Sequence, residues 1–438
     1  MKAVKALAIL LALCLPAWAS APADVEDLTL PCGVRLISRT VEGGSIEGLS
    51  IFVLGGSRAL TPETQGLEAF AIESALMGSS RYPGPSWRTI QDSTQARWSG
   101  VYSYDYSACR LTCLSSDLPL LVTAFTDCLL NPEMDSSAVA QVRERMLQDL
   151  LRERYDPDSR VWLVANAGMM PGHPYSLRPD GVPETVSGFD GPAAAAFLED
   201  RMQAGNILVT HVGPTPTAEL AALLDRVFSS LPPGRDEFLP PPAYPLSSDT
   251  LILEHAGIQT AYAVAKFAGP PPGNPDYPLF SAAMSVVSDE LWQVLRTDSA
   301  FTYATYSGAS LALRPWGYLY VSSSVPGRAC PAMAEVLRSV ARGEADPVEV
   351  AGTIATSETA HSMQMSSCGG QAYMIGLYEI VSGSWRNAWD YNDIAGNSTP
   401  AELGDVLERW IGPCSWGVIA DTSAVDGDLL EPWPLELP

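Results

Sequence analysis

The 438-residue chain carries 50 acidic against 26 basic side chains, a net charge of −24, with 47% apolar residues. It has no basic run, which excludes nucleic acid as a partner, because phosphate recognition needs clustered Lys and Arg. The length exceeds one typical domain, and the apolar content is ample for sizeable cores.

Taken in order, the chain opens on MKAVKALAILLALCLPAWAS. Lys2 and Lys5 precede an apolar run, Ala6 to Leu15, and Ala17 and Ala19 place small residues at a cleavage site. Residues 1–19 are thus predicted to be a secretory signal peptide, too short for a stable membrane span, which implies a periplasmic or secreted protein. No later stretch is long and apolar enough to cross a bilayer. Beyond Cys14, seven cysteines remain: Cys32, Cys109, Cys113, Cys128, Cys330, Cys368 and Cys414. Export permits disulfides, and the odd count leaves at least one thiol unpaired within the chain.

LPCGVRLISRT and LSIFVLGGSR read as strands joined by a turn over Val41 to Gly48, followed by a helix through Ala69. Trp98 to Ser115 reads as one long strand, on which Cys109 and Cys113 share a face. A helix over Leu118 to Leu130 stops at Asn131-Pro132, and a second covers Ser136 to Arg154. Cys113 at the strand end and Cys128 on the returning helix are the pair expected to form a disulfide. A helix at Phe189–Met202, a strand at residues 206–213 and a helix from Thr217 to Leu231 complete this half.

Leu231 to Asp249 then holds six prolines in 19 residues, which bars it from a helix or a central strand. The pattern restarts beyond it. Strands cover residues 251–257 and 261–269, a helix Tyr277 to Arg296, a strand region Phe301 to Ser324 and a helix Cys330 to Ala341. The expected organisation is a half at residues 20–232, a stiff linker at 233–249 and a second half at 250–438.

Motifs sharpen this reading. GLEAFAIESALMGS, Gly66 to Ser79, resembles the zinc-binding helix of the insulinase/pitrilysin peptidase family, written roughly G-L-A-H-F-L-E-H-M-L-F-K-G-T. The glycines, the Leu-x-x-Phe and the closing Gly-Ser are in register. The chemistry is missing. Ala69 stands for the first metal histidine, Ile72 for the general-base glutamate and Glu73 for the second histidine. The motif needs two imidazoles on one helical turn to hold Zn²⁺ and a glutamate to take a proton from bound water. The third-ligand glutamate falls on Asp149, after Glu144-Arg145. Two carboxylates without imidazole suit Ca²⁺ or Mg²⁺ better than zinc. His173, His211, His255 and His361 are the only histidines, and none lies in a metal-binding string. No G-x-S-x-G elbow or phosphate-loop pattern is present.

The resemblance continues through nearly the whole chain beyond the signal. PGHPY, Pro171 to Tyr175, matches a family loop. SGVYS, Ser99 to Ser103, stands where active members have N-A-x-T-S on a substrate-binding edge strand, without the Asn and Thr. LWQVLRTDSAFTYATYSG, Leu291 to Gly308, resembles L-F-Q-E-[LV]-R-E-K-R-G-L-A-Y-S-V and keeps the spacing of Arg296 and Tyr303. Ser366 to Trp385 and Ser398 to Ile411 match further segments, the latter with a Thr399–Glu402 capping box.

The resemblance implies an α+β fold of two homologous α/β sandwich halves, each an antiparallel sheet with helices on one side, enclosing a cleft. It implies a non-catalytic subunit holding no cofactor itself, paired with a zinc-containing paralogue, with Arg296 and Tyr303 contacting a peptide substrate. A stand-alone peptide-binding or structural protein of the same fold is the alternative. A residual metallopeptidase using Glu73 and Asp149 is the third.

Overall fold

A computed structural model describes residues 21–234 and 239–422. The signal stretch lies outside the described residues. In the first half the elements run β1 (Val25–Thr29), β2 (Arg35–Thr40), β3 (Ile46–Leu54), α1 (Leu67–Ala75), α2 (Gly84–Thr94), β4 (Arg97–Tyr102) and β5 (Tyr106–Leu114). They continue with α3 (Leu118–Leu130), α4 (Ser136–Tyr155), α5 (Pro157–Met169), α6 (Pro183–Val186), α7 (Gly191–Arg201), β6 (Ile207–Gly213) and α8 (Thr217–Val227). In the second half they are β7 (Thr250–His255), β8 (Ala261–Ala268), α9 (Asp276–Leu291), β9 (Thr302–Ala309), β10 (Trp316–Ser323) and α10 (Pro326–Ala341). The chain closes with α11 (Pro347–Gln364), α12 (Cys368–Ser382), α13 (Asn387–Gly396), α14 (Pro400–Trp410) and β11 (Cys414–Ala420).

The strands form two sheets, ordered β1-β2-β6-β3-β5-β4 and β7-β11-β8-β10-β9. Apart from the extra edge strand β1, the two orders match position by position, so the halves repeat one α+β unit. On β3, Leu49, Ile51 and Val53 point to one core with residues of α1, α3, α4, α7 and α8. The matching core of the second sheet joins α9, α10 and α14.

Two details differ from the expected halves. Each sheet is mixed, because β2–β6 and β7–β11 pair in parallel while the other pairs are antiparallel. Each sheet also has its second face covered, by a helix from the other half. Helix α12 lies on Phe52, Leu208 and Val212 of the first sheet, and α5 on Val264, Tyr320 and Ile419 of the second. The contacts mirror one another. Thr210 Oγ1 donates to the Ala372 carbonyl (2.6 Å), and Ser415 Oγ donates to the Ala165 carbonyl (3.0 Å). Arg35 pairs with Glu379 of α12, and Arg160 of α5 pairs with Glu254 of β7. The fit on the first sheet requires a glycine. A Cβ on Gly376 would sit 2.1 Å from the Phe52 ring.

Local signals explain several boundaries. Asp135 caps α4 by accepting from the Ser137 and Ala138 N–H groups. Asp156-Pro157 ends α4 and starts α5, with the Asp156 side chain accepting from Ser159 N. The capping box at α14 forms as expected, with Thr399 N donating to Glu402 and Glu402 N to the Thr399 hydroxyl. The strand expected over Trp98 to Ser115 is a hairpin instead. Ser103 N donates to the Tyr106 carbonyl, and the turn sends Asp105 inward rather than along the strand. The helix expected to reach Arg296 leaves α geometry at Leu291 and closes in a π-helical turn over Trp292–Asp298. Cys113 and Cys128 are free, buried thiols, not the expected disulfide. Both side chains belong to the sheet–helix core, where burial holds their thiols well above the ordinary value.

Candidate functional site

Helix α1 presents the degenerate motif. Ala69 and Ile72 are fully packed inside, at 2% and 1% exposure, and neither carries a metal donor. Both oxygens of Glu73 are engaged. The Tyr102 hydroxyl, from the end of edge strand β4, donates to Oε1 at 2.7 Å, and Arg145 of α4 donates to Oε2 at 2.7 Å. Burial and the neighbouring carboxylate push the Tyr102 hydroxyl well above its ordinary value, so it stays protonated and donates. Asp149, one turn beyond Arg145, is turned to solvent and lies 3.5 Å from Arg152. The structure therefore gathers Glu73, Tyr102 and Arg145 and leaves Asp149 outside. This donor set does not fit a zinc ion, because the charge opposite Glu73 is already a guanidinium. Among the described residues no group of three His, Cys, Asp or Glu side chains is arranged to hold a metal.

Next to Ala69, Glu68 is buried at 3% exposure. Burial pushes its carboxyl up to about 7, against the opposing pull of the Ser107 hydroxyl and the Arg201 charge.

The second half carries the Arg/Tyr pair. Arg296 lies in the π-helical turn and Tyr303 at the start of edge strand β9. Arg296 Nη1 donates to the Thr302 carbonyl (3.2 Å), and its guanidinium carbon lies 4.7 Å from the Tyr303 ring centre and 5.7 Å from that of Trp292. Tyr303 is 86% exposed and Trp292 49%. The structure brings these two predicted residues together, stacked and open to solvent.

One constellation escaped the sequence reading. Ser38 Oγ lies 3.0 Å from His211 Nδ1, and His211 Nε2 lies 2.8 Å from Glu47. The residue types are those of a hydrolytic triad, spread over three neighbouring strands. All three side chains are fully buried, at 0% exposure, so no substrate reaches the hydroxyl. Thr215 and Thr217 complete the network, which satisfies buried polar groups of the first sheet. No spacing in the sequence signals it, because only the strand pairing brings the residues together.

His173 of the PGHPY loop is structural. Its Nδ1 accepts from Tyr175 N (3.0 Å), which leaves Nε2 to donate to the Pro242 carbonyl (3.0 Å). Tyr175 in turn donates to Asp105 (2.5 Å), whose same oxygen accepts from Leu313 N of the second half (3.0 Å).

Residues 37–170 match the family model described as insulinase (peptidase family M16), and residues 192–354 match that of the peptidase M16 inactive domain. Together these cover more than half of the chain. The chain belongs to the insulinase family. Within it, this member lacks the zinc-binding His-x-x-Glu-His string. Subunit 1 of the mitochondrial cytochrome b-c1 complex of Bos taurus is 21% identical over 241 residues, 55% of this chain and 50% of that protein. The match thus spans half the length of that relative. The β subunit of the mitochondrial-processing peptidase of Lentinula edodes is 22% identical over 326 residues, 68% of each chain. The crystal structure of a peptidase M16 inactive domain from Pseudomonas fluorescens shares the fold, with a TM-score of 0.82 at 14% identity over 91% of this chain and 98% of that one.

Proposed function

We propose that this insulinase-family chain is an exported, non-catalytic subunit of a two-chain zinc peptidase. In this reading a zinc-containing paralogue supplies the metal, and this chain supplies half of the cleft with Arg296 and Tyr303 as contacts to the peptide substrate. The observation that carries it is the contrast between the two halves. The metal helix is packed shut and its remaining carboxylate neutralised by Arg145, while the Arg296–Tyr303 stack stays open to solvent. A guanidinium offers a fixed fork of donors and a tyrosine a directed hydroxyl, a set suited to a peptide carbonyl or a developing oxyanion. Similarity to the β subunit of a processing peptidase supports pairing with a second family member.

The test is co-expression with a zinc-containing paralogue, followed by co-purification and peptide-cleavage assays. Arg296→Ala and Tyr303→Phe are expected to leave assembly intact and lower kcat by a factor on the order of 10²–10³, the cost of one missing transition-state donor. Wild-type cleavage by the assembled double variant would overturn the role of the pair. Similarity to subunit 1 of the cytochrome b-c1 complex supports a second reading, a structural subunit without a peptidase partner. Failure of any zinc-containing paralogue to co-purify would favour it.

A further inference from the structure

A concave site lies at the C-terminal end of α1, next to the Glu73–Arg145 pair. A pocket of about 270 Å³ opens between the end of α1, the start of α2 and the start of α4. Its apolar wall is Met77, Pro85, Met134 and Ala138, and its polar wall includes Arg88, Glu133 and Asp135. Ser74 also borders it, with a buried hydroxyl that has no hydrogen-bond partner among the described residues.

The charges are arranged so that neither sign is spent. Arg88 is exposed and makes no ion pair among the described residues. Its guanidinium passes over Gly84, where an added Cβ would meet Nη2 at 3.8 Å. Glu133 is held beside the same glycine, accepting from Gly84 N through Oε2 (3.1 Å). Asp135 caps α4 entirely through Oδ1, which accepts from Ser137 N, Ala138 N and the Ser137 hydroxyl. Each carboxylate therefore keeps one oxygen for a ligand, and the two acids, fixed by backbone N–H groups, line the same pocket as the Arg88 guanidinium. A rigid pair of acids, a planar fork of donors and a short methionine-lined wall match a small molecule with a carboxylate at one end and an ammonium at the other. The volume lies just below the usual range for drug-sized ligands, which suits a single residue rather than a long peptide.

We propose that this pocket binds the zwitterion of a free amino acid, with the carboxylate on Arg88, the ammonium between Glu133 and Asp135, and the side chain against Met77 and Met134. Neither Arg296 nor Tyr303 lines this site.

Calorimetric titration of the purified full chain with a panel of free amino acids tests it, using their N-acetyl and amide derivatives as controls. At least one free amino acid is expected to bind one-to-one in the millimolar range or tighter. Capping either end, or the Arg88→Met or Glu133→Gln variant, is expected to weaken binding by about tenfold or more, the loss of one charge-assisted contact. Both side chains are exposed, and the amide of the Glu133→Gln variant still offers an acceptor to Gly84 N, so the unliganded thermal midpoint should not move. No binding by any free amino acid would overturn the proposal. Equal binding of the capped derivatives, or unchanged affinity in either variant, would overturn it as well.

Discussion

Arg145 of α4 donates to Glu73 of α1 at 2.7 Å, so a guanidinium faces the carboxylate that stands in place of the metal motif's second histidine. The position is neutralised from within, and the rest of the motif is closed by apolar packing.

This packing predicts how the protein responds to restoration of the motif. The variant Ala69→His, Ile72→Glu, Glu73→His, Asp149→Glu places a carboxylate in the 1%-exposed slot of Ile72. Ile72→Glu alone should cost on the order of 3 kcal/mol, the penalty for burying an unpaired polar group. The fourfold variant should hold clearly less than one zinc per chain by elemental analysis after mild chelation. A stoichiometric zinc content would show that the slot reopens. By contrast, Arg145→Ala should shift stability by less than about 1 kcal/mol, because the Arg145 side chain is half-exposed.

Glu68 gives a pH signature. Its folded-state value of about 7 lies above the ordinary 4.5. The stability contributed by keeping it protonated is complete below pH 4.5 and is lost as the pH rises through 7. Glu68→Gln should therefore match the wild type near pH 4 and exceed it above pH 7, by up to a few kcal/mol. Thermal midpoints of both proteins across this range decide the matter. A difference that does not grow with pH would mean that Glu68 is not the titrating group.

Lys266 should show the reverse trend. Its ammonium is buried on β8, donates to Asn166 Oδ1 (2.5 Å) and stands 4.5 Å from the Trp316 ring centre. Burial lowers it from 10.5 to about 7. Its unfolded state binds the extra proton between those values, so stability rises with pH there. Lys266→Met should stabilise most below pH 7 and lose that advantage toward pH 10.5, measured by urea unfolding. A pH-independent gain would place the cause in packing instead.

Asp105 joins the halves. It accepts from the Tyr175 hydroxyl and Leu313 N and pairs with Arg58 at 3.0 Å, at 0% exposure. Asp105→Ala strands these donors and should cost about 3–5 kcal/mol. Denaturant unfolding measures this directly, and a loss below about 1 kcal/mol would show the junction to be redundant.

Much of the fold was legible because its signals are local. Asn131-Pro132 stops α3, Thr399 and Glu402 cap α14, and Cys109 and Cys113 share a face as period-two geometry requires. The hairpin within Trp98–Ser115 was not, because Tyr104-Asp105 lacks a glycine turn signal and Asp105 turns inward only for partners far along the chain. The absence of metal donors at Ala69 and Ile72 could be read directly. The capture of Glu73 by Arg145 could not, because it depends on how α1 and α4 pack. The Ser38–His211–Glu47 chain was invisible for the same reason, since strand pairing alone assembles it.

The exchange of α5 and α12 between the halves dictates how the molecule must be made. The outer face of the first sheet, Phe52 and Leu208 included, stays bare until residues 368–382 have been delivered. Contacts of such sequence separation make folding slow and expose apolar strands meanwhile. Cleavage in the proline-rich stretch would not free two self-sufficient domains. It would yield two polypeptides, each carrying the helix the other lacks, whose only route to burial is to find one another again.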